Sequence, residues 1–105
     1  MRFIATIIVS LLALNVSAHS FRAYTSGTTT LRSVLASAHE GDTILVMPGV
    51  HNGSDFLVTK RLTIIGKQGA AVDARSKGGS IFIVTADGVA FRSLTIRNVA
   101  MSYVD

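Results

Sequence analysis

The side chains here that could hold a metal ion or move a proton are three histidines and six acids. His19, His39 and His51 supply imidazole nitrogens, which are common ligands for transition metals. No His-x-x-x-His, Cys-x-x-Cys or Met-rich cluster accompanies them, and cysteine is absent altogether. Met47 and Met101 offer softer thioether ligands, but Met47 stands in an apolar run that reads as core. The plainer reading makes His39 and His51 surface residues near turns, with His19 on a solvated segment. Among the acids, Asp42, Asp55, Asp73 and Asp87 would matter if two came together, either to bind calcium or to work as an acid/base pair. Asp42 and Asp87 directly flank glycines, where a short acceptor side chain closes a turn. No two of the four fall at matching positions of the internal repeat described below. They read as turn-closing acids, and no residue is assigned as catalytic. Lys60 and Arg61, followed by Arg92 and Arg97, would make a basic strip for an acidic sugar or simply a solvated outer face.

What must position these groups is a repeat. Phe56-Leu57-Val58-Thr59 is followed by Leu62-Thr63-Ile64, and Phe82-Ile83-Val84-Thr85 is followed by Leu94-Thr95-Ile96. The first pair of words is offset by 26 residues and the second by 32, the difference lying in residues 86–93. Constant β-rich words joined by turns of variable length are the signature of stacked rungs, because insertions enter turns and spare the strands. Further strands are expected at Ile44–Met47, Leu62–Ile65, Ala70–Asp73 and Val89–Arg97. The Ile44–Met47 run, being almost wholly apolar, predicts burial on both faces. It stops at Pro48-Gly49, a turn. Residues 28–38 predict a short helix, with threonine hydroxyls for its N-cap and Leu31, Val34, Leu35 and Ala38 on one face. Glu40-Gly41-Asp42 ends it. Turn spacing of about eight to twelve residues would also suit an antiparallel sandwich. Hairpin dipeptides are scarce, however. The sequence therefore predicts an all-β chain, a right-handed parallel β-helix whose first rung is plugged by the helix.

The first 18 residues stand apart from that fold. Arg2 is a positive n-region, Phe3 to Leu14 is an apolar run broken only by Thr6 and Ser10, and Asn15-Val16-Ser17-Ala18 is a small-residue cleavage region. That is the layout of a secretory signal peptide, and the run is too short to span a membrane comfortably. Cleavage after Ala18 would leave residues 19–105 with nine basic residues against six acidic. The charge is weakly basic and scattered, without a Lys/Arg cluster among aromatics, so nucleic-acid binding is a poor fit. An exported domain this small without cysteine must be held by stacking or belong to something longer. Met101-Ser102-Tyr103-Val104-Asp105 offers no cap for a last rung, and 19–105 is expected to be the N-terminal cap and first two to three rungs of a longer β-helix.

Glu40-Gly41-Asp42-Thr43-Ile44-Leu45-Val46-Met47-Pro48-Gly49-Val50-His51 resembles the opening of pectate-lyase-like right-handed β-helix proteins. Three further segments are Lys60-Arg61-Leu62-Thr63-Ile64-Ile65-Gly66, Ala71-Val72-Asp73 and Ala86-Asp87-Gly88-Val89-Ala90-Phe91-Arg92-Ser93-Leu94-Thr95-Ile96-Arg97-Asn98. Together they resemble the NosD family, periplasmic β-helix proteins of nitrous oxide reductase maturation. The resemblance runs over about residues 30–105, only the start of a family member. His51 departs from it where the pattern prefers Tyr, and Ala74 where it often has Gly. What it implies is a non-enzymatic periplasmic accessory protein, working with an ABC-type transporter on the copper-sulfur centre of nitrous oxide reductase. Copper would then give the histidines a purpose. As the first residue of a cleaved chain, His19 could chelate it through its α-amine and imidazole, with His39 or His51 as a second ligand. The alternative is a polysaccharide-active or polysaccharide-binding β-helix, lyase or epimerase like. Asn98 is expected to join a stacked amide ladder. Asn52-Gly53-Ser54 matches a glycosylation sequon, without meaning in a bacterial chain.

Overall fold

The structure is a computed structural model that describes residues 18–76 and 80–99. Nearly all of the signal-peptide segment, the Gly78-Gly79 turn and Met101 lie outside the described residues. Among these residues nine short strands and one helix follow in the order β1 (Ser20–Ala23), α1 (Leu31–Ser37), β2 (Thr43–Val46), β3 (Gly49–Asn52), β4 (Phe56–Val58), β5 (Thr63–Gly66), β6 (Ala70–Asp73), β7 (Phe82–Val84), β8 (Ala90–Arg92) and β9 (Thr95–Arg97). Every strand pairing among the described residues is parallel. The strands fall into three sheets, β1-β2-β5-β8, β3-β6-β9 and β4-β7, so that β2-β3-β4 and then β5-β6-β7 each add one strand to every sheet. This is a β-solenoid of about three turns, and the antiparallel sandwich is excluded.

The helix closes the first turn. Thr30 is its N-cap, with Oγ1 accepting from Ser33 N, and the Ala38 N–H bonds back to Val34 O. Leu31, Val34 and Leu35 are buried in one cluster with Ala23, Ile44, Val46, Phe56 and Val58. The Arg32 guanidinium ties the exposed side of the helix to the corner before β4, donating to Ser54 O at 2.7 Å and Asp55 O at 3.3 Å. A helix fits here because it satisfies its own backbone internally, whereas an uncovered first rung would present unpaired strand groups.

Within the stack, β2 and β5 alternate: Ile44, Val46 and Ile64 are fully buried, while Thr43, Leu45, Thr63 and Ile65 are half-buried. The apolar Ile44–Met47 run is thus buried on one face, with the outward face only partly covered. Pro48-Gly49 is a turn as expected, yet a strand begins at once. Gly49 adopts φ 122°, and a Cβ there would lie 2.8 Å from Thr25 Cγ2. The turn is a corner between two strands of a single rung.

Only one of the two repeated words is a structural repeat. Phe56, Leu57 and Val58 pair with Phe82, Ile83 and Val84, and the phenylalanine rings stack at 5.6 Å. Thr63, however, pairs with Ala90, and Thr95 lies against Ala71 in a different sheet. Residues 86–93 are therefore no insertion, since they contain β8. The Val89–Arg97 run breaks at Ser93, whose φ of 54° turns the corner between β8 and β9. β-Rich words look alike because strands share composition, and composition does not say which sheet a strand joins. Burial declines along the stack, from wholly buried β6 to wholly exposed β9.

Candidate functional site

Two buried carboxylates organise the polar chemistry of the stack. The first forms at the corner after α1. Gly41, at φ 88°, reverses the chain, and Asp42 N donates to His39 O at 3.0 Å. Gly41 N donates to Arg61 O at 2.8 Å and Thr63 N to Asp42 O at 3.1 Å, which fixes this corner on the next rung. The Asp42 side chain is consequently driven inward and is 1 % exposed. Its Oδ1 accepts from the backbone N of His19 at 2.9 Å, and its Oδ2 accepts from the backbone N of His39 at 2.8 Å. The His39 ring is largely exposed, with Nδ1 4.0 Å from Oδ2. The hydrogen bond from His19 N holds the Asp42 pKa below its ordinary 3.8, helped by that from His39 N and by the nearby imidazoles, against the opposing effect of burial.

The second carboxylate, Asp73, closes β6 and pairs across the sheet with Arg97. Its oxygens accept from Arg75 N at 2.8 Å, from Asn98 Nδ2 at 3.0 and 3.1 Å, and from Arg97 Nε at 3.2 Å. Arg75, Ser76 and Asn98 all take left-handed backbone conformations around it. The Arg75 N–H, then the Asn98 amide and the Arg97 guanidinium, lower its pKa. Asn98 therefore serves this carboxylate instead of an amide ladder. A carboxylate held ionised and saturated with donors is a weak proton acceptor, so both act as anchors for corners. Asp55 does the same more lightly, its Oδ1 accepting from Ser80 N at 3.3 Å.

The structure brings two of the three histidines to one place. His19 and His39 meet on Asp42 through their backbones. His51 lies elsewhere, in β3, and it is not a surface residue: it is 3 % exposed, with Nε2 2.7 Å from Met47 O. Its Nδ1 is buried and without a hydrogen-bond partner among the described residues. Strand alternation was the signal that sequence reading missed, since His51 lies between exposed Val50 and Asn52. No group of three or more His, Cys, Asp and Glu side chains gathers at metal-binding geometry among the described residues. Two of the four basic residues are engaged in different structural contacts. Lys60 Nζ caps the helix, donating to Ala38 O at 2.6 Å and Ala36 O at 3.2 Å, whereas Arg97 is paired with Asp73.

A cavity of about 210 Å³ opens beside His51, lined by Tyr24, Thr25, Thr30, Arg32 and Phe56 among others. Arg32 lies over the Phe56 ring at 4.4 Å, its guanidinium already committed to two carbonyls. Strand β1, absent from the sequence reading, begins directly after His19 and forms one wall of the first turn; its four residues, SFRA, include no Val, Ile or Thr to mark them as a strand. No protein-family model, curated protein or solved structure matches this chain.

Proposed function

We propose that this chain is an exported, non-catalytic β-solenoid accessory protein of NosD type, acting in the periplasm with an ABC-type transporter on the copper-sulfur centre of nitrous oxide reductase. One observation carries the reading. The segments of resemblance, 40–51, then 60–66 with 71–73, then 86–98, lie on successive turns, and their residues meet: Asp73 of one turn is held by Arg97 and Asn98 of the next. A solenoid scaffold of this kind presents a long side surface to partners and needs no reactive centre of its own. Export follows from residues 1–18, with their positive start, apolar run and small-residue end.

The test is deletion of the encoding gene in a host that respires nitrous oxide, followed by purification of the reductase. The expected reductase lacks the absorption of its copper-sulfur centre, and restoring the gene restores it. A fully loaded reductase from the deletion strain overturns the proposal. So does turnover of a uronic-acid polymer by the purified protein, which would establish the polysaccharide reading instead.

A further inference from the structure

Asp42 poses a problem of charge. It is an ionised carboxylate almost wholly withdrawn from water, yet its two short partners, His19 N and His39 N, are neutral backbone N–H groups. Among the described residues the nearest cationic candidate is the exposed His39 ring at 4.0 Å. A buried charge without a full counter-charge is costly, and carboxylates this well enclosed are normally paired. One of its two partners has an unusual position in the sequence. His19 is the residue that follows Ala18, where the signal-peptide layout places its end.

We infer that removal of the leader completes the fold, because hydrolysis of the Ala18–His19 bond turns His19 N from a neutral amide into an ammonium seated on Asp42. The inference rests on the export reading above, with cleavage at that bond. The step balances with one water: Ala18 leaves with a carboxylate, and the nitrogen of His19 leaves the amide and takes up the protons of an ammonium. The group at 2.9 Å from Oδ1 then has three N–H donors in place of one, and a full positive charge. Ala18 and His19 are both exposed and precede β1, so the bond lies outside the strand that cleavage secures.

The same geometry shows what the new ion pair fastens. His19 O accepts from Thr43 N at 2.9 Å, directly beside the Asp42 backbone, and β1 then pairs with β2 from Ser20↔Thr43 onward. β1 is the first strand of its sheet, and among the described residues β2 is its one strand neighbour, with the helix packed beside it. Its one fully buried side chain is Ala23, so it contributes little apolar burial. An ammonium on Asp42 thus fastens the edge strand of the first turn. Before cleavage the same nitrogen offers Asp42 a single neutral amide donor, so that edge lacks the ion pair.

The full chain is expressed with its leader in an exporting bacterial host, and processed protein is compared with unprocessed protein recovered from the cytoplasm. Hydrogen exchange of the β1 amides is the readout. Processing is expected to slow that exchange about tenfold or more, and acetylation of the His19 amine should return it to the unprocessed rate. Asp42→Asn should abolish the gain from processing. Rates within about twofold of each other before and after processing, or a gain that survives acetylation, would overturn the inference. The acetylation arm stands without the variant if Asp42→Asn does not fold. Mass spectrometry of the exported protein separates the two readings: a first residue other than His19 overturns the cleavage position, while an unaffected reductase in the deletion strain bears only on the accessory role.

Discussion

Replacing Asp42 by Ala tests how much of the fold hangs on one buried carboxylate. The substitution removes the acceptor of two short hydrogen bonds, from His19 N and His39 N, at a position 1 % exposed. A hydrogen bond to a charged group contributes about 1.5–3 kcal/mol, and donors left buried without a partner add to the loss. Allowing for overlap between the two, the cost is about 3–5 kcal/mol. A domain of this size has about 4–12 kcal/mol in total, so the variant should be near the edge of folding. With a urea dependence of about 1 kcal/mol per molar, the midpoint should fall by about 3–5 M. The assay is urea unfolding followed by far-UV circular dichroism on the processed chain, since tryptophan is absent. Asp87→Ala, at an exposed turn, is the control and should stay within about 0.5 kcal/mol of the parent. Acid titration gives a second readout. The folded pKa of Asp42 lies below its ordinary 3.8, so its contribution is fully present above that value and is lost as pH falls through the folded pKa. An Asp42→Ala midpoint indistinguishable from that of Asp87→Ala would refute the reasoning.

Three more outcomes are expected. Asp73 also has a depressed pKa, so Asp73→Asn should flatten the loss of stability below about pH 4 while leaving the slope above it unchanged; an unaltered acid limb would count against its role. Gly66→Ala should cost about 1–3 kcal/mol, because the new Cβ would collide with the backbone carbonyl of Ser93 on the next turn; thermal melting of the pair measures it, and equal Tm values would contradict the packing. The third turn leaves Ile83, Val84, Phe91 and Ile96 exposed beside strand edges. Sedimentation velocity should therefore show self-association that rises with concentration and weakens in Ile96→Lys, whereas a parent monomeric at all concentrations would show that this face is not adhesive.

The amino-acid sequence by itself determined the class of fold and much of its local order. Short apolar words bounded by Gly, Asn and Asp can form only short strands and corners, and the 31–37 helix follows from Thr30 and one apolar face. Turn-closing acids were legible for the same reason, since Asp42, Asp55 and Asp73 all accept from backbone N–H groups at corners. Stacking was decided only in three dimensions. Leu62-Thr63-Ile64 and Leu94-Thr95-Ile96 read alike, but a corner at Ser93 sends the second to another sheet. β1 was invisible because SFRA becomes a strand only when β2 offers it an edge. His51 looked like a surface residue until β3 turned its ring inward. The meeting of His19 with Asp42, 23 residues apart, depends on the first turn closing. Local pattern fixes what a segment can become, while a solenoid assigns each segment its neighbours only when the turns close on one another.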